Sequence, residues 1–258
     1  MIEFIKITSK DNDTIKGITR LQSSAKQRKE EGVFVLEGLR LCMDAYENGF
    51  NPLKVFVSET ASLNYSKEIS CLCRNCCSYL VADSLFNKIS DTVTPQGILC
   101  IYSIPDFDSF QIKTNGRYIA LDNLQDPSNL GAISRTAEAL GIDGLFIQGG
   151  CDPYSPKSLR ASMGALLRIP VVKTDDMFSL FNKYELKTFA TVIDKDAVSV
   201  DKDIFSNGCV VIIGNEANGV SAETRSKSEV KITIPMSGKA ESLNAAVAAS
   251  IVMWEMCK

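Results

Sequence analysis

Along this chain, apolar residues fall either into short continuous runs, which read as strands, or into i, i+3, i+4 spacings, which read as helices. The first part predicts a helix over 26–31 or somewhat earlier, a strand at 33–36, and a helix at 38–48 with Leu39, Cys42, Met43 and Tyr46 inward. Strands follow at 54–57, 79–82 and 98–102, with helices between them. Such a pattern describes a small α/β sandwich. The periodicity then breaks at 104–116, where IPDFDSFQIKTNG carries Pro105, two aspartates and the Asn115-Gly116 pair. The expected division is therefore one domain over 1–104, a linker over 105–116 and a second domain over 117–258.

The second domain alternates strand and helix. A strand at 118–122 leads through Asp126, Pro127 and Ser128 into a helix with Leu130, Ile133, Ala137 and Leu140 on its core face, so Arg135 points away from the core. Gly141 closes that helix. The pattern continues with a strand at 145–148, a helix at 155–167, a strand at 169–172, a helix at 178–184 and strands at 189–193, 210–213 and 231–235. A last helix is expected from Ser242 as its N-cap, with Leu243, Val247, Ile251 and Trp254 as the stripe facing the core. Regular strand–helix alternation implies a mostly parallel sheet covered on both faces.

Composition adds limits. Hydrophobic residues make up 45% and charged residues 23%, the balance of an ordinary globular protein. No apolar run approaches the ~20 residues that span a bilayer, and the amino terminus lacks a signal-peptide pattern, so a cytoplasmic location is expected. A net charge of −3 argues against attachment to nucleic acid by bulk charge alone. The first 29 residues nevertheless hold Lys6, Lys10, Lys16, Arg20, Lys26, Arg28 and Lys29 against Glu3, Asp11 and Asp13, a local excess of four positive charges. Lys16, Arg20, Lys26, Arg28 and Lys29, together with Arg160 in the second domain, are the candidates for phosphate contacts; a solvated helix face is the plainer reading.

Nine cysteines, an odd number without regular spacing, do not form a disulfide framework. Cys71, Cys73, Cys76 and Cys77 crowd into a segment too short to surround one ion tetrahedrally, so no metal is expected. They read instead as a helix with Ile69, Leu72, Cys73, Cys76 and Cys77 near one face, where free cysteine acts as a small hydrophobe.

The chemistry collects in three polar loops, each at the end of an apolar run: Asn129 to Arg135, Ile213 to Ser221, and Ile234 to Ala249. In open α/β sheets ligands bind outside the carboxyl ends of strands, so the three loops point to one composite site. Histidine is absent from the chain, which removes the commonest general base and leaves Arg135, Glu216, Ser242, Asn129 and Asn244. Neither glycine-rich stretch is a nucleotide loop. GNEANG lacks the G-x-G-x-x-G spacing, and Gly238-Lys239 is followed by Ala240 where a P-loop needs Ser or Thr.

N-x-G-x-x-x-R at Asn129, Gly131 and Arg135, IGNEANGVS at 213–221, and IPM followed by ESLNAAVAASI at 234–251 occur in this order. With these motifs the sequence resembles the SpoU-type (TrmH-type) RNA ribose 2′-O-methyltransferases of the knotted SPOUT superfamily. SPKSLRASMGALLRIPV at 155–171 resembles the same family. EGVFVLEGLRLCMDAYENGF at 31–50 and VFVSE at 55–59 are similar to the RNA-substrate-binding domain fused to rRNA-modifying members, itself akin to a ribosomal-protein-like fold.

The resemblance implies a deep trefoil knot in the second domain and S-adenosylmethionine held there near Ile212, Gly214, Gly219, Ile234, Met236 and Leu243. It further implies that Arg135 positions the ribose hydroxyl and a neighbouring phosphate, that Glu216 orients Arg135, that Asn129 holds both, and that Ser242 and Asn244 contact substrate or steady their loop. A homodimer built on the knot and last helix is implied as well. The fused first domain favours large-subunit rRNA over tRNA as the substrate. A tRNA methyltransferase, a ribosome-associated RNA-binding protein without catalysis, and a metabolic enzyme using another adenine nucleotide stay open as alternatives.

Overall fold

The computed structural model describes residues 2–106, 110–205 and 207–258, so residues 107–109 of the expected linker lie outside the described part. The chain divides into two compact units, Met1–Pro105 with Tyr154–Arg160, and Asp106–Pro153 with Ala161–Lys258.

The first unit runs β1 (Ile5–Ile7), α1 (Asp13–Ser23), α2 (Ala25–Glu31), β2 (Val33–Glu37), α3 (Leu39–Glu47), β3 (Lys54–Ser58), α4 (Glu59–Asn64), α5 (Ser66–Leu72), β4 (Cys77–Val81), α6 (Asp83–Ile89) and β5 (Ile98–Ser103). Its sheet has the order β1-β4-β3-β5-β2, with β5 antiparallel to both of its neighbours. Asn12 and Ser24 accept from backbone N–H groups of the first turns and so start α1 and α2. Ile15, Ile18 and Leu21 then recur on one face of α1 and pack into a core with Val35, Phe56 and Leu99 from the sheet. The ring of Tyr154, brought in from the second half of the sequence, lies 5.6 Å from that of Phe34.

Three expectations change here. Arg28 is buried, and its guanidinium donates to the carbonyls of Leu21 and Gln22 in the last turn of α1. A helix end leaves carbonyls without intrahelical donors, and Arg28 in the adjoining helix supplies them, so it is a structural lock and not a surface charge. Arg160 is engaged as well, with a 2.7 Å ion pair to Asp91 within this unit. The cysteines do not share a helix: α5 ends at Leu72, Cys73 caps it, and Cys77 opens β4 by pairing with Lys54. Burial pushes the Cys76 thiol up to about 11, which leaves it a poor nucleophile at neutral pH.

The second unit contains β6 (Arg117–Asp122), α7 (Pro127–Ala139), β7 (Gly144–Gln148), the last residues of α8 (Pro156–Ser162), α9 (Ala165–Arg168), β8 (Val171–Lys173), α10 (Met177–Lys183), β9 (Lys187–Thr191), β10 (Val198–Ser199), β11 (Cys209–Ile213), α11 (Ala222–Lys227), β12 (Val230–Thr233) and α12 (Ala245–Cys257). All seven strands are parallel, in the order β10-β12-β9-β11-β6-β7-β8. The helix expected over 155–167 is broken between α8 and α9 by Met163 and Gly164, both left-handed with φ of 48° and 88°.

The last helix also differs from expectation. It begins at Ala245, and Asn244, not Ser242, is its N-cap: the Asn244 Oδ1 accepts from the backbone of Ala246 and Val247. Its buried face is Ala246, Ala249, Val252, Met253 and Met256, whereas Val247 is 48% and Trp254 55% exposed. A helix that is apolar all round carries no periodic signal for which face turns inward. The small Ala246 and Ala249 let α12 pack on α7, where Ser250 and Thr136 share a 3.2 Å hydrogen bond.

Candidate active site at the carboxyl ends of the central strands

β6 and β11 are neighbours at the centre of the parallel sheet, so the loops that leave their carboxyl ends emerge side by side. The loop after β11 folds back on itself, with Asn215 and Gly219 exchanging two backbone hydrogen bonds of 2.9 Å. Gly214 permits this closure. A Cβ there would stand 2.0 Å from the carbonyl carbon of Gly219 and 2.1 Å from the nitrogen of Val220. The Asn215 side chain accepts from Ala217 and Asn218 and donates to the carbonyl of Asn123 in the loop after β6. On the other side, Asp122 at the end of β6 accepts from the backbone of Ser221 at 2.8 Å.

Glu216 reaches from this loop to the start of α7. Its carboxylate accepts from the backbone of Gln125 (3.0 Å) and Asp126 (2.9 Å) and from Asn129 Nδ2 (3.0 Å). Partial burial alone would raise its pKa, but these hydrogen bonds outweigh it and hold the carboxyl below the usual range. Glu216 is thus an ionised acceptor at neutral pH. The Asn129 Oδ1 in turn accepts from Asn244 Nδ2 at 3.0 Å, which joins α7 to the N-cap of α12. Asn244, Asn129 and Glu216 therefore form one relay across all three motif loops. Gly131 sits further along α7 and lets the helix approach Ala161 and Ser162, where a Cβ would stand 2.4 Å from that of Ala161.

Arg135 lies on the exposed face of α7, six residues beyond Asn129 and so roughly 9 Å along the helix axis. No hydrogen bond or ion pair among the described residues joins it to Glu216. Instead of the expected contact with Arg135, the Glu216 carboxylate caps the start of α7 through three N–H groups.

A cavity of about 450 Å³ opens beside the relay. Gly214, Gly219, Ile234, Met236 and Leu243 all line it, and so do Glu216 and Ser242. Ile212 does not. It is fully buried within β11, and its carbonyl accepts from the Thr191 hydroxyl at 3.0 Å, so Thr191 at the end of β9 takes the wall position instead. The sequence pattern did not single out Thr191 or Asp122, whose signal is placement at strand ends; Asn215 stands inside the IGNEANGVS motif with no role assigned to it there. Arg225 and Glu241 also line the cavity, and Arg225 is paired with Asp194.

Seven parallel strands with the second and third motif loops lining one cavity define an α/β enzyme with a small-molecule site at its strand ends. The family model of the SpoU rRNA Methylase family matches residues 116–254, and that of the MRM3-like substrate binding domain matches residues 12–100. The chain belongs to the SpoU rRNA methylase family and is an RNA methyltransferase of that family.

Relatives support the same assignment. An uncharacterized tRNA/rRNA methyltransferase of Synechocystis is 31% identical over 98% of this chain and 93% of its own length. The 23S rRNA (guanosine(2553)-2′-O)-methyltransferase RlmP of Bacillus subtilis is 27% identical over 97% of this chain and 98% of its own. Among solved structures, an AdoMet-bound rRNA methyltransferase from Sinorhizobium meliloti superposes with a TM-score of 0.81 at 28% identity, covering 98% of this chain and 97% of that one. The SpoU methyltransferase AviRb of Streptomyces viridochromogenes in complex with AdoMet gives 0.80 at 26% identity, over 95% and 97%.

Proposed function

We propose that this protein transfers the methyl group of S-adenosylmethionine to a ribose 2′-hydroxyl in large-subunit ribosomal RNA. The observation that carries the reading is one cavity lined by the second and third motif loops and tied to the first motif through the Asn244–Asn129–Glu216 relay. The cavity fits the donor: about 450 Å³ lies within the ~300–1,000 Å³ range of small-molecule sites, and its wall offers glycine backbone at Gly214 and Gly219 beside the apolar Ile234, Met236 and Leu243. When bound, the donor supplies an electrophilic methyl group on a sulfonium.

The chain supplies placement. Arg135, exposed and without a protein partner among the described residues, positions the ribose hydroxyl and the adjoining phosphate with its fixed fork of donors. The hydroxyl proton then has a phosphate oxygen within reach as acceptor, which suits a site without histidine. Glu216 stays ionised, accepts three hydrogen bonds and holds the loop geometry rather than moving the proton. Asn129 and Asn244 fix α7 and α12 to that loop, and Ser242 on the cavity wall is free to meet substrate.

The first unit reads the RNA. Lys16, Arg20, Lys26 and Lys29 stay exposed on α1 and α2, with Lys16 and Lys26 only loosely paired at 3.9 and 3.7 Å. The second unit threads a trefoil knot, and the exposed apolar face of α12 around Val247 and Trp254 mates with a second copy of the chain. No helix among the described residues is long and apolar enough to cross a membrane, and the reading places the protein in the cytoplasm with its RNA.

Mapping 2′-O-methylation in cells with and without the protein tests the function. Loss of one ribose methyl in large-subunit rRNA is expected. Loss confined to tRNA would replace the substrate, and an unchanged map would end the catalytic reading.

A further inference from the structure

We propose that Glu241 makes the donor cavity discriminate by charge, favouring the sulfonium donor over the neutral thioether product and so assisting product release. The inference rests on the methyl-donor reading of this cavity. Its basis is the set of charges on the wall. The charged residues lining the cavity are Glu216, Arg225 and Glu241. Glu216 is occupied by donors from Gln125, Asp126 and Asn129, and Arg225 is neutralised by its ion pair with Asp194. Glu241 is exposed at the wall and has no hydrogen-bond or ion partner among the described residues. Hydrogen bonds fix Glu216 without cancelling its charge, so the wall carries two carboxylate charges, of which Glu241 is the one held by no protein donor among the described residues.

The two ligands make this charge selective. S-adenosylmethionine and S-adenosylhomocysteine share the adenine, the ribose and the amino-acid end, so those contacts cancel when the two affinities are compared. They differ by one methyl group and by the positive charge that leaves with it. A unit charge some 8 Å away at an effective dielectric of about 40 changes an affinity ratio by roughly threefold to tenfold. The Arg225–Asp194 pair sets the background: without Asp194 the guanidinium would face the cavity uncompensated and oppose Glu241.

Calorimetric titration of the full chain with donor and with product tests the idea without turnover. Wild type is expected to bind the donor more tightly, with a ratio that contracts as salt rises. Glu241→Gln should reduce the ratio by about threefold to tenfold, Glu241→Asp should retain it, and Asp194→Asn should reduce it in the same direction. An unchanged ratio in Glu241→Gln, with donor binding intact, overturns the role of Glu241 and leaves the proposed function standing. Absence of donor binding by wild type overturns the proposed function itself. If Glu241→Gln does not fold, a wild-type ratio insensitive to salt overturns the inference.

Discussion

The two units each carry a glutamate just beyond or at the end of a strand with its carboxylate filled by neighbouring donors, yet only one of them borders a site. In the first unit Glu37, the last residue of β2, accepts from Ser90, from the backbone of Asp91 (2.8 Å) and from Thr92 (2.6 Å), and it is buried. In the second, Glu216 accepts from Gln125, Asp126 and Asn129 and stays exposed beside the cavity. Glu37 pins a neighbouring loop over itself and closes the surface. Glu216 draws together segments 90 residues apart in sequence, and Gly214 lets the loop that carries it close on itself beside the cavity. A carboxylate filled by donors thus marks a fixed loop; the cavity beside that loop is what marks the site.

Arg135→Ala offers the severest test of that contrast, because it removes the exposed group that would act on substrate without touching either carboxylate. Methyl transfer should fall on the order of 10²- to 10³-fold, with donor affinity and melting temperature unchanged. Activity near wild type would leave the relay as scaffold alone. Gly214→Ala strikes at the loop closure that borders the cavity. It should destabilise the protein by about 1–3 kcal/mol and weaken donor binding, since the new methyl meets backbone that cannot yield.

Exchanging the two glutamates for glutamine compares them directly. Glu37→Gln places an amide against buried donors and should cost about 1–3 kcal/mol, with donor binding preserved. Glu216→Gln, at an exposed carboxylate, should cost less stability and more activity. The pH dependence follows from the sign of the shift. The folded pKa of Glu216 is lowered, so its contribution is complete above the unfolded value of about 4.3 and is lost as pH falls through the depressed folded value. Denaturation titrations below pH 5 should therefore show wild type losing its advantage over Glu216→Gln as acid is added. A difference that grows instead would contradict the lowered pKa.

The smallest effect is expected at the RNA face. Reversing Lys16, Arg20, Lys26 and Lys29 should weaken RNA binding and flatten its salt dependence by about 0.7–0.9 in slope for each phosphate no longer neutralised. Arg28→Ala should act differently. It should lower stability, because the carbonyls of Leu21 and Gln22 lose their donor.

Much of this protein is written locally. Strand runs, the Asp126 start of α7 and the Gly141 turn were legible because each depends on a few adjacent residues, and the cavity residues Gly214, Gly219, Ile234, Met236 and Leu243 were reached through the family resemblance of the motif loops. Tertiary structure decided the remainder. It buried Arg28 against carbonyls from another helix, turned Val247 and Trp254 outward on a helix with no polar face, and assigned Glu216 to the end of α7 rather than to Arg135. It also brought Tyr154 and Arg160 into the first unit. In each case the deciding partner comes from another element of the fold, and local periodicity carries no record of which group will arrive there.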